Sequence, residues 1–469
     1  MNYHPGRSIA RTATALIVTT PILLCQGSHG SFQYGDWHGT MEVGTLRLRV
    51  VVHLVPLPEG GLSGTADSLD QSGMGLKLAD ITWRGGVLTF VIPQVGGSYQ
   101  GRMDPATQKI VGTWTQGLVR SLTLSRGLLE APRRPQEPRP PFPYICREVA
   151  FPSSCPGVRL AGTLTLPAGN GPFPAVVLVQ GSGTLDRDET IFGHKPMLVL
   201  ADHLTRQGIA VLRYDKRGIK GSTGNYDQAL TIDFAEDAEA ALGFLASEPG
   251  IDPSRLGLLG HSEGGIIVPM VAARSSLPTF LVLLASPAVT GEELTRAQSE
   301  ALAKAAGATP NALELERRLW DRLITFVQQN PDAPAGTLRE VLAEGLSPEL
   351  RKAWDSLILY QAQRSSKPWF RSFLALDPRA SLRRVKVPVL ALFGEKDLQV
   401  LPSQNRPELE KALGEAGNSQ VEVHTLPGLN HLFQPARTGG IAEYPTIETT
   451  LDPKVLDLVS EWIRKRKHS

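Results

Sequence analysis

Cysteine is nearly absent from this 469-residue chain, which holds only Cys25, Cys146 and Cys155. Three thiols exclude a disulfide-built mini-domain, and no Cys/His spacing suggests zinc. Net charge is lacking too: 48 Lys and Arg stand against 46 Asp and Glu, a formal +2. That balance argues against a nucleic-acid groove and against a polybasic membrane surface. The apolar run from Ala13 to Leu24 is too short for a comfortable membrane span. What is present is ordinary for a soluble globular protein, with 41% hydrophobic and 20% charged residues. The length leads to an expectation of two or three domains.

Arg7 and Arg11 precede the Ala13–Leu24 run, and small residues follow at Ser28-His29-Gly30. Residues 1–30 therefore read as an export signal, with a periplasmic or secreted product and no membrane insertion after its removal. A lipid anchor on Cys25 is disfavoured, because Leu24 stands where a lipoprotein signal takes Gly, Ala or Ser. In an exported chain Cys146 and Cys155 could close a small hairpin disulfide or stay as free thiols.

Residues 31–127 carry short alternating segments, such as Leu46–Leu54, Val87–Ile92, Ile110–Trp114 and Ser121–Leu124, between glycine turns. This pattern predicts a small antiparallel β-barrel or sandwich, with Trp37 and Trp114 as core plugs. Residues 128–144 are proline-rich and should form an extended, semi-rigid spacer. From 145 to 469 apolar strands alternate with amphipathic helices, which predicts a doubly wound, mainly parallel α/β sheet covered on both faces. A helical stretch at about 290–370 interrupts that alternation and is expected to be a lid over the strand ends.

The chemistry starts at Gly260-His261-Ser262-Glu263-Gly264, between the apolar run Leu256–Leu259 and an apolar helix. The pentapeptide alone is common. In a strand–turn–helix setting it is the nucleophile elbow, which holds a serine hydroxyl clear of the sheet. Active groups in an open α/β sheet gather at the carboxyl ends of strands. Asp397 follows the run Val387–Phe393, and His431 follows Val421–Leu426. The order Ser262, Asp397, His431 is that of α/β hydrolases. His431 would act as base and acid, and Asp397 would orient it. Glu395 is the rival acid and His424 the rival base. The oxyanion hole would take the N–H of Glu263 and that of Ser182, with Gly183 beside it, from the glycine loop after Val179. The charged loops Asp186–Glu189 and Asp215–Gly218 are expected to pair with each other. His194 and His203 should be satisfied core or helix-surface residues.

These motifs resemble those of the EstD-type bacterial esterases, within the serine aminopeptidase-like and prolyl-oligopeptidase-like α/β hydrolases. The resemblance rests on Gln180-Gly181-Ser182-Gly183 with Asp186-Arg187-Asp188, Arg213–Gly218, Gly260–Gly265, Gly394–Asp397 and Gly428–His431, and covers roughly 145–469. It implies a carboxylesterase for short-to-medium acyl esters, with no metal or organic cofactor. The glycine loop departs from it, having Thr184 where related sequences often carry proline. The expectation is a serine ester hydrolase acting on a small-molecule ester through an acyl-enzyme. Its alternatives are an aminopeptidase on the same fold, using Glu263 or lid acids to grip an amino terminus, and an inactive hydrolase fold with a binding role.

Overall fold

A computed structural model of the protein describes residues 34–466 apart from 44–45, 70–72, 117, 128 and 130–132, so the expected export signal and Cys25 lie outside the described residues. The first domain runs through β1 (Gly35–Val43), β2 (Leu46–Pro56), β3 (Leu62–Ser68), β4 (Gly73–Lys77), β5 (Ala79–Arg84), β6 (Val87–Ile92), β7 (Gly97–Asp104), β8 (Lys109–Gln116) and β9 (Leu118–Arg126). All pairs are antiparallel, in the order β4-β3-β2-β1-β9-β8-β7-β6-β5. The sheet curls until β3 and β5 touch, around one core. Strict alternation on β6 turns Leu88, Phe90 and Ile92 inward. Trp37 and Trp114 are buried there, as the expected plugs. Tyr99 stacks on Phe90, and its hydroxyl reaches the carbonyls of Ile110 (3.0 Å) and Leu122 (3.2 Å), so a buried polar group is satisfied.

The second sheet contains β10 (Ile145–Pro152), β11 (Arg159–Leu166), β12 (Phe173–Val179), β13 (Ala210–Tyr214), β14 (Ile251–His261), β15 (Phe280–Leu284), β16 (Val389–Gly394) and β17 (Val421–Leu426). Its order is β10-β11-β13-β12-β14-β15-β16-β17. β10, β11 and β13 pair antiparallel, and every pair from β13 through β12 to β17 is parallel. On β12, Val177 and Val179 face one hydrophobic core while Val176 and Leu178 face another. An uninterrupted apolar strand is therefore what a sheet covered on both faces requires.

The helices are α1 (Pro196–Arg206), α2 (Thr231–Ala246), α3 (Glu263–Ala272), α4 (Gly291–Ala305), α5 (Pro310–Gln329), α6 (Ala335–Ala343), α7 (Pro348–Ser365), α8 (Pro368–Ala375), α9 (Arg379–Leu382), α10 (Pro402–Glu415) and α11 (Pro453–Arg464). α2, α3 and α10 cover one face; α1 and α11 cover the other. Helices α4–α8 enter between β15 and β16, and α5–α8 share a core of their own around Trp320, Leu323, Leu338 and Phe370. No helix of the described residues is long and apolar enough to cross a membrane.

The proline-rich stretch is a strap on the second domain, not a free spacer. Prolines remove backbone donors, so side chains hold it. Arg134 donates to the carbonyls of Phe192 (3.2 Å), Gly193 (3.0 Å), Pro445 (3.0 Å) and Ile447 (2.9 Å). Gln136 donates to the Leu451 carbonyl (2.7 Å) and accepts from the Thr450 N–H (2.7 Å). Cys146 and Cys155 are both free thiols, which closes the alternative left open above.

Candidate active site

Ser262 lies between the last residue of β14 and the first of α3, with φ 53° and ψ −118°. That conformation is strained by about 1–3 kcal/mol and persists only where the surroundings fix it. Here the Ser262 N–H donates to the Leu284 carbonyl (2.9 Å), and the Ser262 carbonyl accepts from Gly265 (2.8 Å). The flanking glycines answer a steric demand. A Cβ on Gly260 would lie 2.1 Å from the Gly264 oxygen, and one on Gly264 would lie 2.2 Å from the Val179 oxygen.

His431, in the loop after β17, donates from Nδ1 to Asp397 Oδ2 at 2.8 Å, and both side chains are buried. Asp397 Oδ1 accepts the N–H groups of Gln399 (2.8 Å) and Val400 (2.9 Å), so the carboxylate is held in place. With Nδ1 committed, Nε2 is the nitrogen left for proton transfer. The loop is anchored to the elbow: His261 Nε2 donates to the His431 carbonyl (3.0 Å), and the two imidazole rings lie 4.8 Å apart. The structure thus brings His431 and Asp397 together and against the residue preceding Ser262. The rivals are elsewhere. Glu395 accepts the Gly428 N–H (2.8 Å), and His424 pairs with Glu422 (2.7 Å) in an exposed position.

Glu263 and the glycine loop, expected to supply the oxyanion donors, both adjoin Ser262. Glu263 opens α3, so its N–H has no intrahelical acceptor and sits at the positive helix end. A Cβ on Gly181 would come within 3.2 Å of Ser262 Cβ, which sets the glycine loop against the nucleophile.

The two charged loops pair with each other, as expected, through Arg187 and Asp215, and their other arginine and aspartate pairs reach residues outside the two loops. Arg187 binds Asp215 (2.8 Å) and Glu148 (2.5 Å), Arg213 binds Asp188, and Arg217 binds Asp237 (2.7 Å). His194 is buried between Thr450 and the Tyr444 carbonyl, and burial pushes its pKa down to about 4. His203 is half-buried against Ser460.

Three side chains with an inward role were not anticipated. Glu189 is buried and its Oε1 accepts both the Gly181 N–H (2.8 Å) and a hydrogen bond from His261 Nδ1 (2.9 Å). A carbonyl oxygen only accepts, so His261 Nε2 must carry a proton for His431. Burial alone would lower the His261 pKa, but the Glu189 carboxylate offsets this and holds it above its ordinary value. Both ring nitrogens of His261 thus face oxygen atoms, Glu189 on the Nδ1 side and the His431 carbonyl on the Nε2 side. Lys216, also buried, donates to the Gly181 carbonyl (2.5 Å) and lies 3.4 Å from Glu263 Oε2. Trp369, on α8, donates its indole N–H to Glu263 Oε1 (2.6 Å). A helix at Trp369 was signalled by Pro368 at its first position and by apolar residues three and four apart.

The sheet order and the elbow define an α/β hydrolase. A family model described as serine aminopeptidase, S33, matches residues 197–434, half of the chain, and the chain belongs to that family. It is 30% identical over 311 residues to Esterase EstD of Thermotoga maritima, over 65% of this chain and 66% of the esterase. It is 32% identical over 124 residues to Esterase FrsA of Yersinia pestis, over 26% of this chain and 27% of that protein. The chain thus spans just under two thirds of EstD's length and about a quarter of FrsA's. Among solved structures, the Pyrococcus furiosus esterase Pf2001 matches with a TM-score of 0.44 at 14% identity, over 73% of this chain and all of that one.

Proposed function

We propose that the protein is a serine carboxylic ester hydrolase that acts through an acyl-enzyme on short-to-medium acyl esters. The observation that carries this reading is the strained Ser262 elbow with the Asp397–His431 pair docked against it. Ser262 Oγ attacks the acyl carbon while His431 Nε2 takes its proton. The N–H groups of Glu263 and Ser182 receive the oxyanion. Collapse expels the alcohol, which leaves with the proton from His431, and Asp397 stabilises the imidazolium between the two transfers. Water, activated by His431, then attacks the acyl-enzyme and releases the carboxylate.

The bonding of Glu263 supports an esterase over an aminopeptidase. Its carboxylate is occupied by Thr231 (2.8 Å), Trp369 (2.6 Å) and Lys216 (3.4 Å), so it is not free to grip an ammonium terminus. Turnover of p-nitrophenyl acyl esters beside an aminoacyl anilide tests the choice. Ester turnover should dominate and should vanish in Ser262→Ala; full activity in that variant would sink the mechanism. We also propose export, supported by the Arg7, Arg11 and Ala13–Leu24 pattern. A mature N-terminus near Ser28-His29-Gly30 is expected, and a secreted chain that retains Met1 would refute cleavage.

A further inference from the structure

The residues on either side of the nucleophile each reach, through one buried charge, the same residue of the glycine loop. His261 binds Glu189, whose Oε1 accepts the Gly181 N–H. Glu263 lies by Lys216, whose ammonium donates to the Gly181 carbonyl. Glu189, Lys216, His261 and Glu263 are all buried. The Lys216 ammonium is further held 4.6 Å above the Phe234 ring.

A trans peptide unit is planar, with its C=O and N–H pointing in opposite directions. The Gly181 carbonyl and the Ser182 N–H belong to one such unit. Fixing the carbonyl on Lys216 therefore turns the Ser182 N–H to the side opposite the Lys216 ammonium. Fixing the Gly181 N–H on Glu189 stops the preceding unit from rotating to compensate. Burying charges is costly unless they are paired and hydrogen-bonded, and none of these four side chains contacts substrate in the mechanism above.

We infer that Lys216 and Glu189 are positioning residues that set the Ser182 N–H as the second oxyanion donor, each tied to the elbow through a neighbour of Ser262. This rests on the ester-hydrolase reading. Trp369 extends the same connection to the lid, since α8 donates to the carboxylate that faces Lys216.

The test compares wild type, Lys216→Met and Glu189→Gln on a p-nitrophenyl ester and with an acyl trifluoromethyl ketone. The ketone adds Ser262 Oγ to its carbonyl carbon, sends the proton to His431 and leaves a tetrahedral oxyanion. Losing a donor outright costs about 10²–10³ in kcat, so losing its alignment should lower kcat about 10–100-fold in Lys216→Met, with KM within about threefold. Affinity for the ketone should fall in step with kcat/KM in both variants, which a general loss of stability would not produce. If Lys216→Met does not fold, Glu189→Gln carries the test, with about a tenfold loss expected. A folded variant with wild-type kcat and ketone affinity overturns the inference. Absence of ester turnover in the wild type would instead overturn the functional reading beneath it.

Discussion

The two sheets treat charge in opposite ways. Around β1–β9 no charged side chain of the described residues is buried: the core is Trp37, Leu54, Phe90, Tyr99 and their apolar neighbours. The ionic cluster there, Asp36–His53–Asp67, bridges strands on the outside. Around β10–β17 lie Glu189, Arg213, Asp215, Lys216, Arg217, Asp237, His261, Glu263, Asp397 and His431, all buried. A core built only for stability has no use for such groups, because apolar residues of similar volume stabilise at least as well. The first domain is a packed scaffold. The second sacrifices packing simplicity to hold donors, acceptors and one strained serine in fixed positions.

The strongest way to break that contrast is Asp397→Asn. If the buried charge serves chemistry, kcat on an acyl ester should fall about 10⁴-fold, with the melting temperature little changed. A variant that merely melts earlier would make Asp397 a structural residue. Trp37→Ala sharpens the other side. It should cost about 3–5 kcal/mol in the unfolding of the first domain by calorimetry of the full chain, with kcat within twofold of wild type. A parallel loss of kcat would mean the domains are not separate in function.

The histidines give the smallest and most diagnostic effects. His194 has a folded pKa of about 4 against an ordinary 6.5, so between these values only the unfolded chain takes the proton. Stability of the second domain should fall as pH drops through that window, by on the order of 2–3 kcal/mol, and His194→Gln should flatten the slope. His53 has the opposite sign: burial lowers its pKa, but Asp36 and Asp67 raise it more. Its contribution is complete below the unfolded value and is lost as pH rises through the folded one. The three-residue cluster is partly exposed and worth less than about 1 kcal/mol.

The part of the fold that could be read from the sequence follows the same division. The strand that ends at Val179 is set by five consecutive apolar residues, Ala175–Val179. Ser262, Asp397 and His431 could be named because each follows such a run. In the first domain β1, β3, β4, β5 and β7 have no counterpart among the expected strands, and for β3 and β5 the reason is that half-exposed strands with alternating polar residues leave little apolar signal. Glu189 and Lys216 escaped for a different reason. A charge at a strand end reads as one member of an ion pair, and for Arg187, Arg213 and Arg217 that reading is right, although Arg213 and Arg217 are buried. What separates Lys216 from Arg217, one residue later, is the direction in which each side chain leaves the backbone. That depends on a loop more than thirty residues away in sequence.

The central claim is that Ser262 is an activated nucleophile. The folded wild-type chain, treated with a fluorophosphonate and mapped by peptide mass, should carry one adduct on Ser262, formed far more slowly in Asp397→Asn. An unlabelled Ser262, or an adduct on another residue, would contradict it.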